Sequence, residues 1–233
     1  MSSVLAIVPA HNEGPRICRV VAMLVAQGLP VLVVDDGSTD DTADEAGAAG
    51  ARILSLTPNR GKGGALKAGF REALDSVRSW DAILTLDGDG QHDPSEAPAF
   101  IEAWSGTGAD LVVGARDYRR MPPIRWFTNS VSRAIFSWAV GERIPDNQSG
   151  YRLHTRRVIE ATLSSREEGF AFEVEEIAIC VGRGYRLAWV PIKTIYGTEV
   201  SDIRPWTHFV SFLRVTWHAR RRVRQERQAS LED

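Results

Sequence analysis

Leu86-Asp87-Gly88-Asp89-Gly90-Gln91-His92-Asp93-Pro94 stands between two segments of different periodicity. The apolar run Ala82-Ile83-Leu84-Thr85-Leu86 leading into it reads as a buried strand. Pro94-Ser95-Glu96 reads as a helix start, because proline suits the first helical turn. The carboxylates therefore lie on a strand-to-helix loop. In an open parallel sheet such loops gather at the carboxyl ends of the strands, where ligands bind. Two aspartates separated by one glycine can both approach one hard cation, and the glycine is expected to keep side chains clear of a diphosphate bridged by that cation. Asp-Gly pairs also form ordinary surface turns, so the neighbouring segments decide between the two readings.

Working outward, the apolar runs Val4 to Val8, Val31 to Val34, Ala51 to Leu54, Ala82 to Leu86 and Leu111 to Val113 alternate with segments of helical length, Gly14 to Gln27, Thr39 to Ala49, Lys62 to Val77 and Pro94 to Trp104. Strands that are apolar throughout and separated by helices predict an α/β fold, a central, mostly parallel sheet flanked by helices. The ends of these strands share a chemistry. Pro9-Ala10-His11-Asn12-Glu13, Asp35-Asp36-Gly37-Ser38-Thr39-Asp40-Asp41-Thr42, Asn59-Arg60-Gly61-Lys62-Gly63-Gly64 and the Asp87/Asp89 pair all fall at the same end of successive strands. Turn chemistry alone does not explain that repetition.

Taken singly, each segment has an ordinary reading. Asp35 to Asp40 is either a turn with Ser38 or Thr39 capping the next helix and Asp40 and Asp41 in its first turn, or a loop whose Asp36 meets a nucleobase or ribose. Gly61-Lys62-Gly63-Gly64 could cradle phosphate at a helix N-terminus, although it misses the spacing of the phosphate-binding loop of nucleotide hydrolases. His11 and His92 are read as local hydrogen-bonding residues, because no second His or Cys stands at metal-ligand spacing.

Hydrophobic residues make up 43% and charged residues 25% of the chain, with a net charge of -2, so there is no basic field of the kind that binds nucleic acid. Cys18 and Cys180 stand far apart, which suggests neither a disulfide framework nor a zinc site and fits a reducing cytoplasm. Met1 to Pro9 is read as the first strand and not as a signal peptide. No apolar run approaches the roughly 20 residues that span a bilayer.

The four strand-end motifs, Val8-Pro9-Ala10-His11-Asn12-Glu13, Val34-Asp35-Asp36-Gly37-Ser38-Thr39-Asp40, Asn59-Arg60-Gly61-Lys62-Gly63-Gly64-Ala65 and Asp87-Gly88-Asp89-Gly90-Gln91-His92, together resemble a family 2 glycosyltransferase with the GT-A fold. More narrowly, the chain is similar to the dolichol-phosphate mannose synthase and polyprenyl-phosphate glycosyltransferase branch. The likeness continues through Val113-Gly114-Ala115-Arg116 and Asp146-Asn147-Gln148-Ser149-Gly150-Tyr151-Arg152 to Trp189-Val190-Pro191-Ile192. It implies an inverting, metal-dependent transfer of a hexose, mannose or glucose, from a GDP- or UDP-sugar to a polyprenyl or dolichyl phosphate. On the donor side it implies Pro9, His11, Glu13, Asp36, Lys62, Asp87 and Gln91, with Asp87 and Asp89 holding Mg or Mn. As catalytic residues it implies Asp89, Arg116, Arg125 and Arg133, the arginines facing the acceptor phosphate. The chemistry is consistent: a divalent cation neutralises charge on a departing diphosphate, and a planar guanidinium matches phosphate oxygens bidentately.

A phosphate monoester is already an anion at neutral pH and needs no general base, whereas a hydroxyl acceptor does. For a hydroxyl acceptor the candidate bases are Asp146, Glu173, Glu175 and Glu176, of which Glu173 and Glu176 read equally well as a solvated helix face. A nucleotide-sugar-binding module without catalysis is the third reading. A sugar nucleotidyltransferase would carry a Gly-rich, Arg-containing signature where Pro9 to Glu13 stands.

Gly184 to Ile195 reads as a strand pair. In Tyr196 to Ile203 the family's Ser-Lys pair is replaced by Ser201-Asp202, which departs from the usual loop over the diphosphate. Residues 205–233 are read as a segment appended to a transferase domain of residues 1–204. Phe209, Phe212, Leu213, Thr216 and Trp217 recur at helical spacing, and Arg214, Arg220, Arg221, Arg222, Arg224 and Arg227 add a basic cluster. This helix either packs on the domain with solvated arginines or lies on an anionic membrane, its apolar surface extended by Trp126, Phe127, Val131, Ile135, Phe136 and Trp138 of a helix at Arg125 to Val140. The expected location is cytoplasmic, peripheral to the cytoplasmic face of a membrane in the second case.

Overall fold

A seven-stranded sheet in the order β3-β2-β1-β4-β6-β5-β7 carries the site. The computed structural model describes residues 3–77, 79–116, 123–165, 167–169, 171–193 and 205–232, with helix course but no side chains at 123–129, 205–213 and 229–232. The strands are β1 (Val4–Ala10), β2 (Val31–Asp35), β3 (Arg52–Ser55), β4 (Ala82–Thr85), β5 (Leu111–Arg116), β6 (Arg152–Thr155) and β7 (Leu187–Ile192). β1 pairs in parallel with β2 and β4, β2 with β3, and β5 with β7. Only β6, among the described strands, runs against its neighbours β4 and β5.

The helices are α1 (Gly14–Ala26), α2 (Thr42–Ala48), α3 (Gly61–Asp75), α4 (Ala97–Thr107), α5 (Pro123–Val140), α6 (Arg156–Thr162), α7 (Ala171–Gly182) and α8 (Pro205–Glu232). Side chains alternate across a strand, so β1 sends Val4, Ala6, Val8 and Ala10 into one core and Leu5 and Ile7 into another. β2 divides likewise, Val31 and Val33 against Leu32 and Val34. Burial on both faces is why these strands read as unbroken apolar runs. α1 closes the first core with Ile17, Val20, Val21 and Leu24, the spacing of one helical stripe. A further core joins Leu111 and Val113 of β5 to Phe136 of α5, Ile177 of α7 and Ala219 and Val223 of α8.

Several expected boundaries move. α2 starts at Thr42, not Thr39, because Ser38 and Thr39 bond Asn12 instead of capping a helix, and the Asp40 carboxylate crosses to the backbone N–H of Gly14 at 3.1 Å. Where a strand pair was expected from Gly184 to Ile195, the described residues of that stretch, which end at Lys193, hold one strand, β7, hydrogen-bonded to β5. β6 escaped the sequence reading because Arg152 and His154 alternate with Leu153, and all three are buried, hiding a core strand behind polar letters. On α5, Phe136 is buried in the core, while Trp138 is 70% exposed, so the proposed common apolar surface is divided. On α8, Thr216 faces inward and Trp217 outward. The Tyr196 to Ile203 loop lies outside the described residues. No helix among the described residues is long and apolar enough to cross a membrane.

Candidate active site

The carboxyl ends of β1, β2 and β4 enclose a cleft of about 300 Å³ lined by Pro9, His11, Glu13, Asp36, Lys62, Asp87 and Asp89. The first two loops are tied together before any ligand arrives. Asn12, with φ of 57°, accepts the backbone N–H of Thr39 on its Oδ1 at 2.8 Å, and Ser38 Oγ accepts the N–H of Asn12 at 2.9 Å. His11 Nδ1 lies 3.0 Å from the carbonyl of Asp36. The buried Asp36 carboxylate accepts the Arg60 N–H at 2.7 Å. Glu13 pairs with Arg16 at 2.9 Å.

Gly61 to Gly64 open α3, and part of this helix end is engaged within the fold. The Gly64 N–H donates to the carbonyl of Glu168 at 3.0 Å and the Gly61 N–H to Asn59 Oδ1 at 2.9 Å. A Cβ at Gly61 would meet the Glu168 carbonyl oxygen at 2.8 Å, and one at Gly63 would meet Phe172 Cβ at 2.7 Å. The glycines serve close packing of the α6–α7 connection on α3, and Lys62 alone turns toward the cleft. Gly88, which lines the cleft, is likewise a packing residue: a Cβ there would meet Ile17 at 3.0 Å and Ala10 at 3.3 Å.

Lys62 is the junction of the site. Its Nζ lies 2.6 Å from Asp87 Oδ1 and 2.9 Å from Glu173 Oε1, and His92 Nε2 stands 3.6 Å from Asp87 Oδ2. Burial opposes the ammonium, but Glu173 and Asp87 more than offset it and raise the Lys62 pKa above its ordinary value. Burial would raise the Asp87 pKa as well, yet Lys62 and His92 hold that carboxyl well below the usual range. Asp89 differs: burial, assisted by the negative charge of Asp87, raises its pKa against the bond its Oδ1 accepts from the Gln91 N–H at 2.9 Å.

Glu173 and Glu176 are buried, so the solvated-face reading is wrong for both. Arg152, 1% exposed, explains their setting. It donates to the carbonyl of Ser149 at 2.8 Å, to that of Glu173 at 2.6 Å and to Glu176 Oε2 at 2.8 Å, while His154 Nε2 lies 3.2 Å from Glu176. Nothing at local spacing signals this clamp, because its members come from β6 and α7.

Arg116 ends β5 and forks onto the fully buried Asp146 through Nε at 2.7 Å and Nη2 at 2.9 Å. Arg133 of α5 donates to the carbonyl of Pro145 at 3.3 Å and to Ser130 Oγ at 3.2 Å, which braces the same loop. The Arg125 side chain lies outside the described residues. Gln91 lines an adjoining groove of about 310 Å³ with Arg16, Arg19 and Asp89 instead of the cleft. The structure thus gathers Pro9, His11, Glu13, Asp36, Lys62, Asp87 and Asp89 at one cleft and sets Gln91 beside them.

Residues 5–171 match the model of the family described as glycosyl transferase family 2. The chain belongs to glycosyl transferase family 2. It is therefore a glycosyltransferase. The transferase is 34% identical over 211 residues to an undecaprenyl-phosphate mannosyltransferase of Micrococcus luteus, across 82% of this chain and 83% of the relative. It is 30% identical over 203 residues to a polyprenol monophosphomannose synthase of Mycolicibacterium smegmatis, across 81% and 76%. A glucosyl-3-phosphoglycerate synthase from Mycobacterium tuberculosis, solved with Mn2+, uridine diphosphate and glucosyl-3-phosphoglycerate, superposes with a TM-score of 0.72 at 23% identity, over 94% of this chain and 80% of that one. That likeness establishes a shared GT-A fold.

The donor set of the transferase suits a cation shared with a substrate. Asp87 and Asp89 are the carboxylates of the cleft loop, and no group of three His, Cys, Asp or Glu forms among the described residues. Mg and Mn commonly bind through one or two carboxylates with phosphate oxygens and water completing the shell, which this pair fits.

Proposed function

We propose that the transferase moves a hexose, mannose or glucose, from a GDP- or UDP-sugar to a polyprenyl or dolichyl phosphate with inversion. The observation that carries the acceptor class is the commitment of the buried carboxylates. Asp146 is forked by Arg116, Glu176 is held by Arg152 and His154, and Glu173 is held by Lys62. Glu175, the fourth candidate, lies 3.6 Å from Arg222 and accepts from Ser165 Oγ. All four carboxylates that would serve a hydroxyl acceptor as general base thus already face a cation, whereas a phosphate monoester arrives ionised. The names of the two bacterial relatives support the same class.

On this reading Pro9, Glu13 and Asp36 hold the nucleoside, Lys62 lies at the diphosphate, and Asp89 with Asp87 would hold Mg or Mn. The cation, when bound, supplies charge neutralisation to the leaving diphosphate. Asp146 fixes the plane of the Arg116 guanidinium at the sheet end, where it orients the acceptor phosphate. Residues 1–204 form the transferase domain, and residues 205–233 dock it to an anionic membrane. The support is Trp138 and Trp217, 70% and 63% exposed, with the Arg220 guanidinium 4.2 Å over the Trp138 ring.

The test is incubation of the protein and Mg or Mn with labelled UDP- and GDP-sugars and polyprenyl phosphate in detergent, counting label in the organic phase. Label from one donor, lost with chelator, is expected. Donor binding with no label in lipid would refute the acceptor class.

A further inference from the structure

Lys62 occupies the place where positive charge is wanted. Its ammonium sits 2.6 Å from Asp87 and 2.9 Å from Glu173, in a side chain 14% exposed. The setting is stiff. A Cβ on Gly150 would lie 2.7 Å from both Lys62 Nζ and Asp87 Oδ2, so the backbone presses directly on the pair. Arg152 holds the segments on either side, through the carbonyls of Ser149 and Glu173. The Arg152 clamp fixes the Glu173 backbone, from which the carboxylate reaches Lys62.

A divalent cation approaching Asp87 and Asp89 alone meets an ammonium already seated on one of them, and like charges at this range repel strongly where water is scarce. A nucleoside diphosphate changes the balance, because its oxygens offer a partner to Lys62 and further ligands to the cation. On the nucleotide-sugar reading above, we infer that Lys62 is an internal stand-in for the divalent cation and that Glu173 is the residue positioning it, so that cation and nucleoside diphosphate bind as a coupled pair while the cation alone binds weakly. The coupling is reciprocal: the cation raises affinity for the nucleotide by the same factor. Glu173 acts through Lys62 and does not touch the reacting atoms.

The test measures free Mn2+ by its electron paramagnetic resonance signal, in titrations of the full chain without nucleotide. Wild type is compared with Lys62→Gln and Glu173→Gln, each first verified as folded by circular dichroism. Lys62→Gln should bind Mn2+ about 10- to 100-fold more tightly than wild type, the usual effect of one adjacent charge on an ionic site. Glu173→Gln should bind it several-fold more weakly, since the lysine is then undivided on Asp87. Structural damage weakens binding, so tightening in Lys62→Gln has no trivial origin. Equal or weaker Mn2+ binding by Lys62→Gln overturns the inference, as does Glu173→Gln no weaker than wild type. With UDP or GDP added, wild type should tighten on Mn2+ and Lys62→Gln should gain less. Coupled binding by wild type without tightening in Lys62→Gln removes only the stand-in role. No binding of Mn2+ with either nucleotide removes the donor reading and this inference with it.

Discussion

Glu176→Gln should cost the transferase about 3 kcal/mol of stability at neutral pH and much less in acid. The Glu176 carboxylate is 1% exposed and takes Arg152 at 2.8 Å and His154 at 3.2 Å. Burial by itself would raise its pKa, but His154 and Arg152 prevail and hold it at about 2 against the ordinary 4.5. That difference, at about 1.4 kcal/mol per tenfold in proton affinity, gives the figure of about 3 kcal/mol. It agrees with the roughly 3–5 kcal/mol lost when one partner of a buried ion pair is removed. For a chain of this size each kcal/mol moves the melting temperature by about 2–4 °C, so a fall of about 6–12 °C is expected. Because the folded-state pKa is depressed, the stabilisation is complete above pH 4.5 and is lost as pH falls toward about 2. Thermal unfolding followed by circular dichroism at pH 7, and in steps down to pH 3, reads both effects. A variant melting within about 2 °C of wild type at pH 7, or a gap that does not narrow in acid, would refute the reasoning.

Gly150→Ala places a Cβ 2.7 Å from both Asp87 Oδ2 and Lys62 Nζ. It should lower stability by about 1–3 kcal/mol and weaken nucleotide binding measured by calorimetry. Gly63→Ala, directed at Phe172 instead, should show a comparable drop in melting temperature, and an unaltered melt would contradict its packing role. Arg116→Lys keeps the charge but loses the fork on Asp146. It should cost about 2 kcal/mol and reduce use of the phosphate acceptor more than donor affinity; equal losses in both would count against the assignment. Trp138→Ala with Trp217→Ala should shift the protein from pellet to supernatant when sedimented with anionic vesicles, with Arg220, Arg221 and Arg224 to Gln giving the same result. Arg222 is left out because it pairs with Glu175 and Glu226 within the fold.

The parallel half of the sheet was legible in the chain because its strands are apolar on both faces and its loops carry their chemistry in contiguous letters. Val4 to Val8, Val31 to Val34 and Ala82 to Leu86 could hardly be anything else, and Pro9 to Glu13, Asp36 and Asp87 to Asp89 followed from where those strands end. β6 was illegible because Arg152 and His154, polar in the sequence, are neutralised by a carboxylate on α7. The packing role of the glycines after Arg60 and between the two aspartates was hidden for a related reason: a missing side chain is visible in the sequence, but the atom that requires it to be missing is not.

By itself the sequence determined the α/β class, the family and the end of the sheet where the candidate site gathers, since each rests on local runs and on the order of motifs. The tertiary structure alone decided what those motifs do to one another: Lys62 joined to Asp87 and Glu173, Arg116 forked on Asp146, and Glu176 turned inward to Arg152. Ion pairs between elements distant in the chain leave no periodicity behind. They depend on which faces the sheet and helices bring together, and the energy of a buried charge depends on the partner it meets there.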